Sequence, residues 1–129
     1  WDEMREPLPA DAHKSLTDKI IGGAMYVSNA LGIGFLERVY ENALVLDLEE
    51  LGLAVEQQKS IQVKYKDKVV GDYVADLIVE GVVIVELKSV DSIAKAHEAQ
   101  LLNYLKATSI RVGLILNFGT RLGIRRLVF

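Results

Sequence analysis

The stretch Tyr73–Ser89 constrains this chain most, because it sets Asp76, Glu86 and Lys88 into two runs of Val, Ile and Leu joined at Glu80-Gly81. Such runs read as consecutive antiparallel strands of a largely buried sheet. A carboxylate in that setting needs a compensating partner. Side chains alternate along a strand, so Glu86 and Lys88 share one face while Val85 and Leu87 take the other. Register decides where Asp76 goes. A three-residue connection, Glu80-Gly81-Val82, pairs Val79 with Val83 and sets Asp76 opposite Glu86, about 5 Å apart at Cβ. A two-residue turn at Glu80-Gly81 sends Asp76 to the opposite face, since a one-residue slip inverts every side chain.

At 129 residues the chain is long enough for one domain with a single core. It has no cysteine, which excludes disulfides, thiolate zinc sites and iron–sulfur clusters. No apolar run reaches the ~18–20 residues of a membrane span, and the start lacks a basic-then-apolar signal pattern. The expectation is a soluble, cytoplasmic protein with no membrane partner. Numbering begins at Trp1 with Met4 inside, so 1–14 is expected to be a flexible or non-native leader on a single domain spanning 1–129. The net charge of −3 argues against coating nucleic acid by electrostatics alone, but not against an enzyme acting on it. Two basic groups qualify as phosphate patches or as solvated rim: Lys64, Lys66 and Lys68, and Arg121, Arg125 and Arg126.

In chain order, Ser15-Leu-Thr-Asp18 has the pattern of a capping box before a helix whose apolar face is Ile20, Ile21, Ala24, Met25, Ser28 and Leu31, stopped at Gly32. Gly22 and Gly23 inside it imply close packing against a neighbour. A second helix runs from about Phe35 to Leu51, with Leu36, Val39, Tyr40, Ala43, Leu44, Leu48 and Leu51 as its apolar face. Glu37 lies in its first turn, where the helix dipole alone accounts for a negative charge. Strand periodicity follows over Leu53–Gln57, Ile61–Tyr65 and Val69–Val79, with a bulge or bend expected at Gly71-Asp72. After the central hairpin, Val90-Asp91-Ser92 supplies caps for a third helix, Ile93 to about Ala107. On it His97, Gln100, Leu101 and Tyr104 share one half-polar stripe, which fits either a polar site or the rim of the core. Arg111–Phe118 returns as a buried strand through a right-handed parallel crossover, and Ile124–Phe129 closes the chain.

Two carboxylates on adjacent strands can hold one hard cation, magnesium by preference with manganese able to substitute; water and a backbone carbonyl such as that of Leu87 complete the shell. Such a metal acidifies water and stabilises charge on a phosphoryl oxygen, with Lys88 placed to position or deprotonate that water. The spacing Asp-x(9)-Glu-x-Lys alone is equally that of a surface ion pair.

Asp76, Glu86-Leu-Lys88 and a following helix with Gln100 and Tyr104 together resemble the PD-(D/E)XK nuclease superfamily. Gly34-Phe-Leu-Glu37-Arg-Val-Tyr40 further resembles the GxxExxY signature of one small prokaryotic family within it. Val85–Lys88, His97–Lys106 and Gly113–Phe118 resemble that family's other blocks, so the likeness runs from about Thr17 to Phe129. The resemblance implies an α/β fold: a three-layer α/β/α, restriction-endonuclease-like core with a mixed sheet (α-β-β-β-α-β) and an extra N-terminal helix. It implies a magnesium-dependent nuclease that cleaves phosphodiester bonds, in DNA before RNA. It further implies that Asp76 and Glu86 bind metal with Glu37 assisting, that Lys88 activates water and that Gln100 orients, with His97, Tyr104 and Tyr40 as substrate or supporting groups. Val74 departs from the pattern, standing where the family often carries an arginine able to meet phosphate or carboxylate. A chain this small grips little DNA, which suggests a homodimer. The rival reading is a nuclease-fold binding or regulatory module without turnover, favoured by the acidic charge and by Val74.

Overall fold

Helical periodicity in the first part of the chain and alternation in the middle sort it into eight elements, and the computed structural model describes residues 5–129. The order is α1 (Lys14–Leu31), α2 (Glu37–Glu50), β1 (Val55–Tyr65), β2 (Lys68–Val79), β3 (Val83–Lys88), α3 (Lys95–Ala107), β4 (Val112–Phe118) and β5 (Leu122–Val128). The strands form one sheet in the order β1-β2-β3-β4-β5. β3 and β4 run parallel and every other neighbouring pair antiparallel, so α3 is the crossover that a parallel pair requires.

Successive residues of the central strands serve opposite cores. Leu77, Val85, Leu87, Leu114 and Leu116 pack beneath α1 and α2 with Ile20, Ala24, Tyr40, Leu44 and Leu48. Ile78, Ile84 and Ile115 pack on the other face beneath Leu101 and Leu105 of α3. The result is the three-layer α/β/α sandwich with a mixed sheet. Gly113 sets how closely α3 lies on β4, since a Cβ there would stand 2.8 Å from Leu101 Cδ1.

The hairpin takes the three-residue connection. Val79 pairs with Val83, Glu80 and Gly81 adopt φ of 53° and 67°, and the Val82 N–H donates to the Val79 carbonyl at 3.1 Å. Glu80 accepts a 2.7 Å bond from the Ala54 N–H, tying the turn to the start of β1. The bulge beside Gly71 is also present, as the β1–β2 register shifts after Val63↔Gly71.

Several expectations are corrected. Helix α1 begins at Lys14 behind His13, which sits at φ 55°, and no side-chain cap forms; Asp18 pairs with Lys14 at 2.7 Å instead of closing a box with Ser15. Val27, not Met25, completes the buried stripe of α1, and Met25 is exposed. Of the two glycines only Gly23 meets a neighbour, Leu44 of α2. Leu36 and Leu51 are exposed ends rather than core. β1 is one continuous strand where two were expected. α3 starts after Ala94.

Residues 5–13 bond to the body of the domain. Arg5 donates to the carbonyls of Leu105 and Thr108, Arg111 to that of Glu6, and Arg126 to those of Ala10 and Ala12. Residues 1–4 of the expected leader lie outside the described residues. Arg126 is thereby committed to the chain's own backbone, and Arg125 faces Glu98 at 3.9 Å, which leaves Arg121 of that expected basic patch. No helix among the described residues is long and apolar enough to cross a membrane.

Candidate active site

At the open end of the β2–β3 hairpin the ladder stops at Leu77↔Val85. The next rung would join Asp76 to Glu86, and their side chains replace it. The Asp76 N–H donates to Glu86 Oε2 at 2.8 Å, and the Leu87 N–H donates to Asp76 Oδ2 at 2.9 Å. Each carboxylate thus satisfies a backbone donor of the sheet while the strands part around them. Glu86 is 4% exposed, and its carboxyl is pushed up to about 8, first by burial and then by the charge of Asp76. Glu37 is raised as well, by burial and then by Asp76.

On the same face Lys88 Nζ donates to Gln100 Oε1 at 2.9 Å, and Gln100 Nε2 donates to Tyr104 Oη at 3.1 Å. Lys88 is absent from the ion pairs among the described residues, so its ammonium is held by a neutral amide rather than neutralised by a carboxylate. Burial and then the Glu86 charge raise the Tyr104 hydroxyl. The Tyr104 ring lies 5.8 Å from that of Tyr73 on β2.

Two residues that the sequence reading passed over complete the surroundings. Gln58 sits mid-strand at φ 54°, a conformation that costs a non-glycine residue roughly 1–2 kcal/mol. The β1–β2 rung that would join it to Asp76 is missing between Gln57↔Leu77 and Lys59↔Ala75. Both strands change face there: Leu77 and Val79 serve the α1–α2 core, whereas Ala75 serves the α3 core. Freed from the ladder, Gln58 Nε2 reaches Asp76 Oδ1 at 3.2 Å and both Glu41 oxygens at 3.0 Å. Glu41, 3% exposed, also accepts from Gln57 Nε2 at 2.6 Å. A signal for Glu41 was available: Glu41, Leu44 and Leu48 recur at helical spacing, which puts this acid on the buried stripe of α2, one turn beyond the exposed Glu37. The gap left between the two expected strands, after Gln57, falls at Gln58.

A family model described as the PD-(D/E)XK nuclease superfamily matches residues 14–127. The chain belongs to that superfamily. A search of curated proteins finds no match. Among solved structures, one titled "Crystal structure of SSO0001" superposes with a TM-score of 0.56 at 18% identity, covering 91% of this chain. The likeness concerns the fold, and the chain spans 60% of that structure's length.

Within this PD-(D/E)XK domain the remaining expected residues divide by what they touch. His97 Nδ1 accepts the Ala94 N–H at 2.9 Å and so caps α3. Tyr40 is fully buried; its hydroxyl donates to the Gly32 carbonyl at 2.6 Å and accepts the Phe35 N–H at 3.3 Å, while its ring stacks on Phe118 at 4.6 Å. Both side chains thus support the local fold. Asn117 clamps the backbone of Val90 through both amide atoms at 2.9 Å, fixing the chain just beyond Lys88.

For a divalent cation, the test is the donor set. Among the described residues no three His, Asp or Glu side chains gather closely enough to hold one. Asp76 and Glu86 stand together outside any three-acid group, and the charge of Glu37 helps to raise Glu86. Two carboxylates still fit magnesium, which usually keeps several waters and binds through one or two carboxylates plus substrate phosphate. Burial first and the Asp76 charge second raise Glu86, and a bound cation would offset both.

Proposed function

We propose that this PD-(D/E)XK domain is a magnesium-dependent nuclease of the GxxExxY type that hydrolyses phosphodiester bonds in DNA. The observation that carries the reading is the reciprocal hydrogen bonding of Asp76 and Glu86 at the point where β2 and β3 separate. It presents two repelling carboxylates on the face where Gln100 holds Lys88. An ordinary surface pair would instead set Lys88 directly against Glu86.

Asp76 and Glu86 would hold the cation, and manganese would substitute for magnesium. When bound, the metal acidifies water and stabilises negative charge on a phosphoryl oxygen. Lys88, fixed by Gln100, offers an ammonium to a non-bridging oxygen of the scissile phosphate or to the attacking water, and Tyr104 fixes Gln100 in turn. Water adds at phosphorus and gives up a proton to solvent, the ester P–O bond breaks, and the departing oxygen takes a proton from solvent. Gln58 and Glu41 hold Asp76 in place from the opposite side.

The test is cleavage of single-stranded, duplex, flap and junction DNA with magnesium, manganese or EDTA, for the native domain and Glu86→Gln. The glutamine keeps an oxygen for the Asp76 N–H while removing the charge. Metal-dependent cleavage abolished in the variant supports the reading; equal cleavage by both proteins defeats it. Calorimetry with manganese on Asp76→Ala tests the metal site without any choice of substrate. Absence of both cleavage and metal binding in a folded native domain would favour the rival, a nuclease fold used for binding alone.

A further inference from the structure

Beside the carboxylates the β1–β2 arm stands away from α3 and leaves a groove of about 540 Å³, lined by Val63, Val70, Gly71 and Tyr73 on one wall and Ala99, Gln100, Asn103, Tyr104 and Lys106 on the other. Its lining is largely apolar, yet it shares Gln100 and Tyr104 with the Lys88 chain of hydrogen bonds. Tyr73, Asn103 and Lys106 have no part in the proposed cleavage.

We infer that this groove is a subsite for one unpaired nucleic-acid strand, taking a nucleobase between the arm and α3 beside the scissile phosphate. The inference rests on the proposed nuclease reading and names the substrate class: nucleic acid with a single-stranded segment at the cleavage point. The volume lies within the ~300–1,000 Å³ of small-molecule sites; it holds a base and is far too narrow for a duplex. Tyr73 is half exposed and its ring lies 5.8 Å from that of Tyr104 across the groove, so Tyr73 supplies an accessible aromatic face for stacking, which every base can use. The amides of Gln100 and Asn103 offer donors and acceptors to base edges.

Charge points the same way. Lys106 lines the groove, Lys88 donates to Gln100 of its lining, and the arm ends in the turn Lys66-Asp67, flanked by exposed Lys64 and Lys68. The tip therefore carries three cations against one acid. A strand leaving the groove toward it meets positive charge, whereas an apolar peptide would gain nothing from these lysines.

The experiment measures binding of 5′-fluorescein-labelled dT12 and of a blunt duplex of equal length by anisotropy in EDTA, so that it needs neither metal nor turnover. Three surface variants are compared with the native chain: Ala99→Trp to fill the groove, Tyr73→Ala to remove the stacking face, and Tyr73→Phe to restore it. The expected result is preference for dT12 over duplex, weakened about tenfold or more by Ala99→Trp and Tyr73→Ala, a size set by base–aromatic stacking, and unchanged in Tyr73→Phe. Binding of dT12 that all three variants retain would overturn the proposal, as would duplex preference or no binding. Self-association of the native chain lost in Ala99→Trp, with no dT12 binding, would assign the groove to a second copy and overturn it too. Failure of the nuclease reading is seen separately, as absence of magnesium-dependent cleavage in a chain that still binds dT12 through the groove.

Discussion

Gln58 Nε2 stands between two carboxylates, 3.2 Å from Asp76 Oδ1 and 3.0 Å from each oxygen of Glu41. One amide thereby couples a buried acid of α2 to an acid at the parting of β2 and β3, and it does so from a left-handed backbone at the missing rung. Backbone strain that persists mid-strand is over-determined by its surroundings, and such positions cluster at functional sites.

Gln58→Gly should separate stability from function. Glycine adopts φ 54° without penalty, and the roughly 1–2 kcal/mol of strain relieved is of the same order as the ~1 kcal/mol lost at each of the two partners, Asp76 and Glu41. Urea midpoints should move little while manganese affinity, read by calorimetry, falls. Affinity that stays native in this variant would mean Gln58 does not position Asp76.

Glu41→Ala should destabilise, because it removes the buried acceptor that the amides of Gln57 and Gln58 share and leaves them only Asn42 and Asp76. Each hydrogen bond lost contributes about 1 kcal/mol. Chemical denaturation should register a loss of that size together with weaker metal binding.

Metal-free stability should fall as pH rises. Glu86 titrates at its ordinary 4.5 when unfolded and near 8 when folded, so between those values the native state holds a proton that the unfolded chain has released. Stability attached to this group is fully present below about pH 4.5 and is lost as pH climbs through about 8. Thermal melts in EDTA across this window should show the decline, and Glu86→Gln should flatten it. A native profile that rises with pH across this window would contradict the assignment.

Tyr40→Phe keeps the ring on Phe118 and removes the hydroxyl that joins the Gly32 carbonyl to the Phe35 N–H. The loss should be about 1 kcal/mol, and the Phe35 amide should exchange faster with deuterium. Any catalytic defect should remain slight, because no atom of Tyr40 is offered to substrate.

Lys88→Met should lower the maximal cleavage rate by roughly 10²–10³, the size expected when one preorganised donor at the developing charge is lost, with folding intact by circular dichroism. Gln100→Ala frees the same ammonium without removing it and should have a smaller effect on rate. If Lys88→Met changed only the KM, Lys88 would be a substrate-binding cation and no more.

The sequence by itself determined the two-sided hydrophobic alternation of β2, β3 and β4, the helical crossover between β3 and β4, and hence the layered mixed sheet. Once the turn was taken as three residues, the opposition of Asp76 and Glu86 followed from a period of two. These are local regularities, written in consecutive residues. Tertiary structure decided the rest. Whether Leu36 or Glu41 faces the core depends on where α2 meets β1, Met25 lost its place to Val27 because α1 is rotated to lay Gly23 on Leu44, and residues 5–13 are held by arginines about a hundred positions away. The left-handed Gln58 is decided in the same way. No residue beside it announces the conformation; a carboxylate from α2 and another from β2 meet at its amide only after the layers have packed.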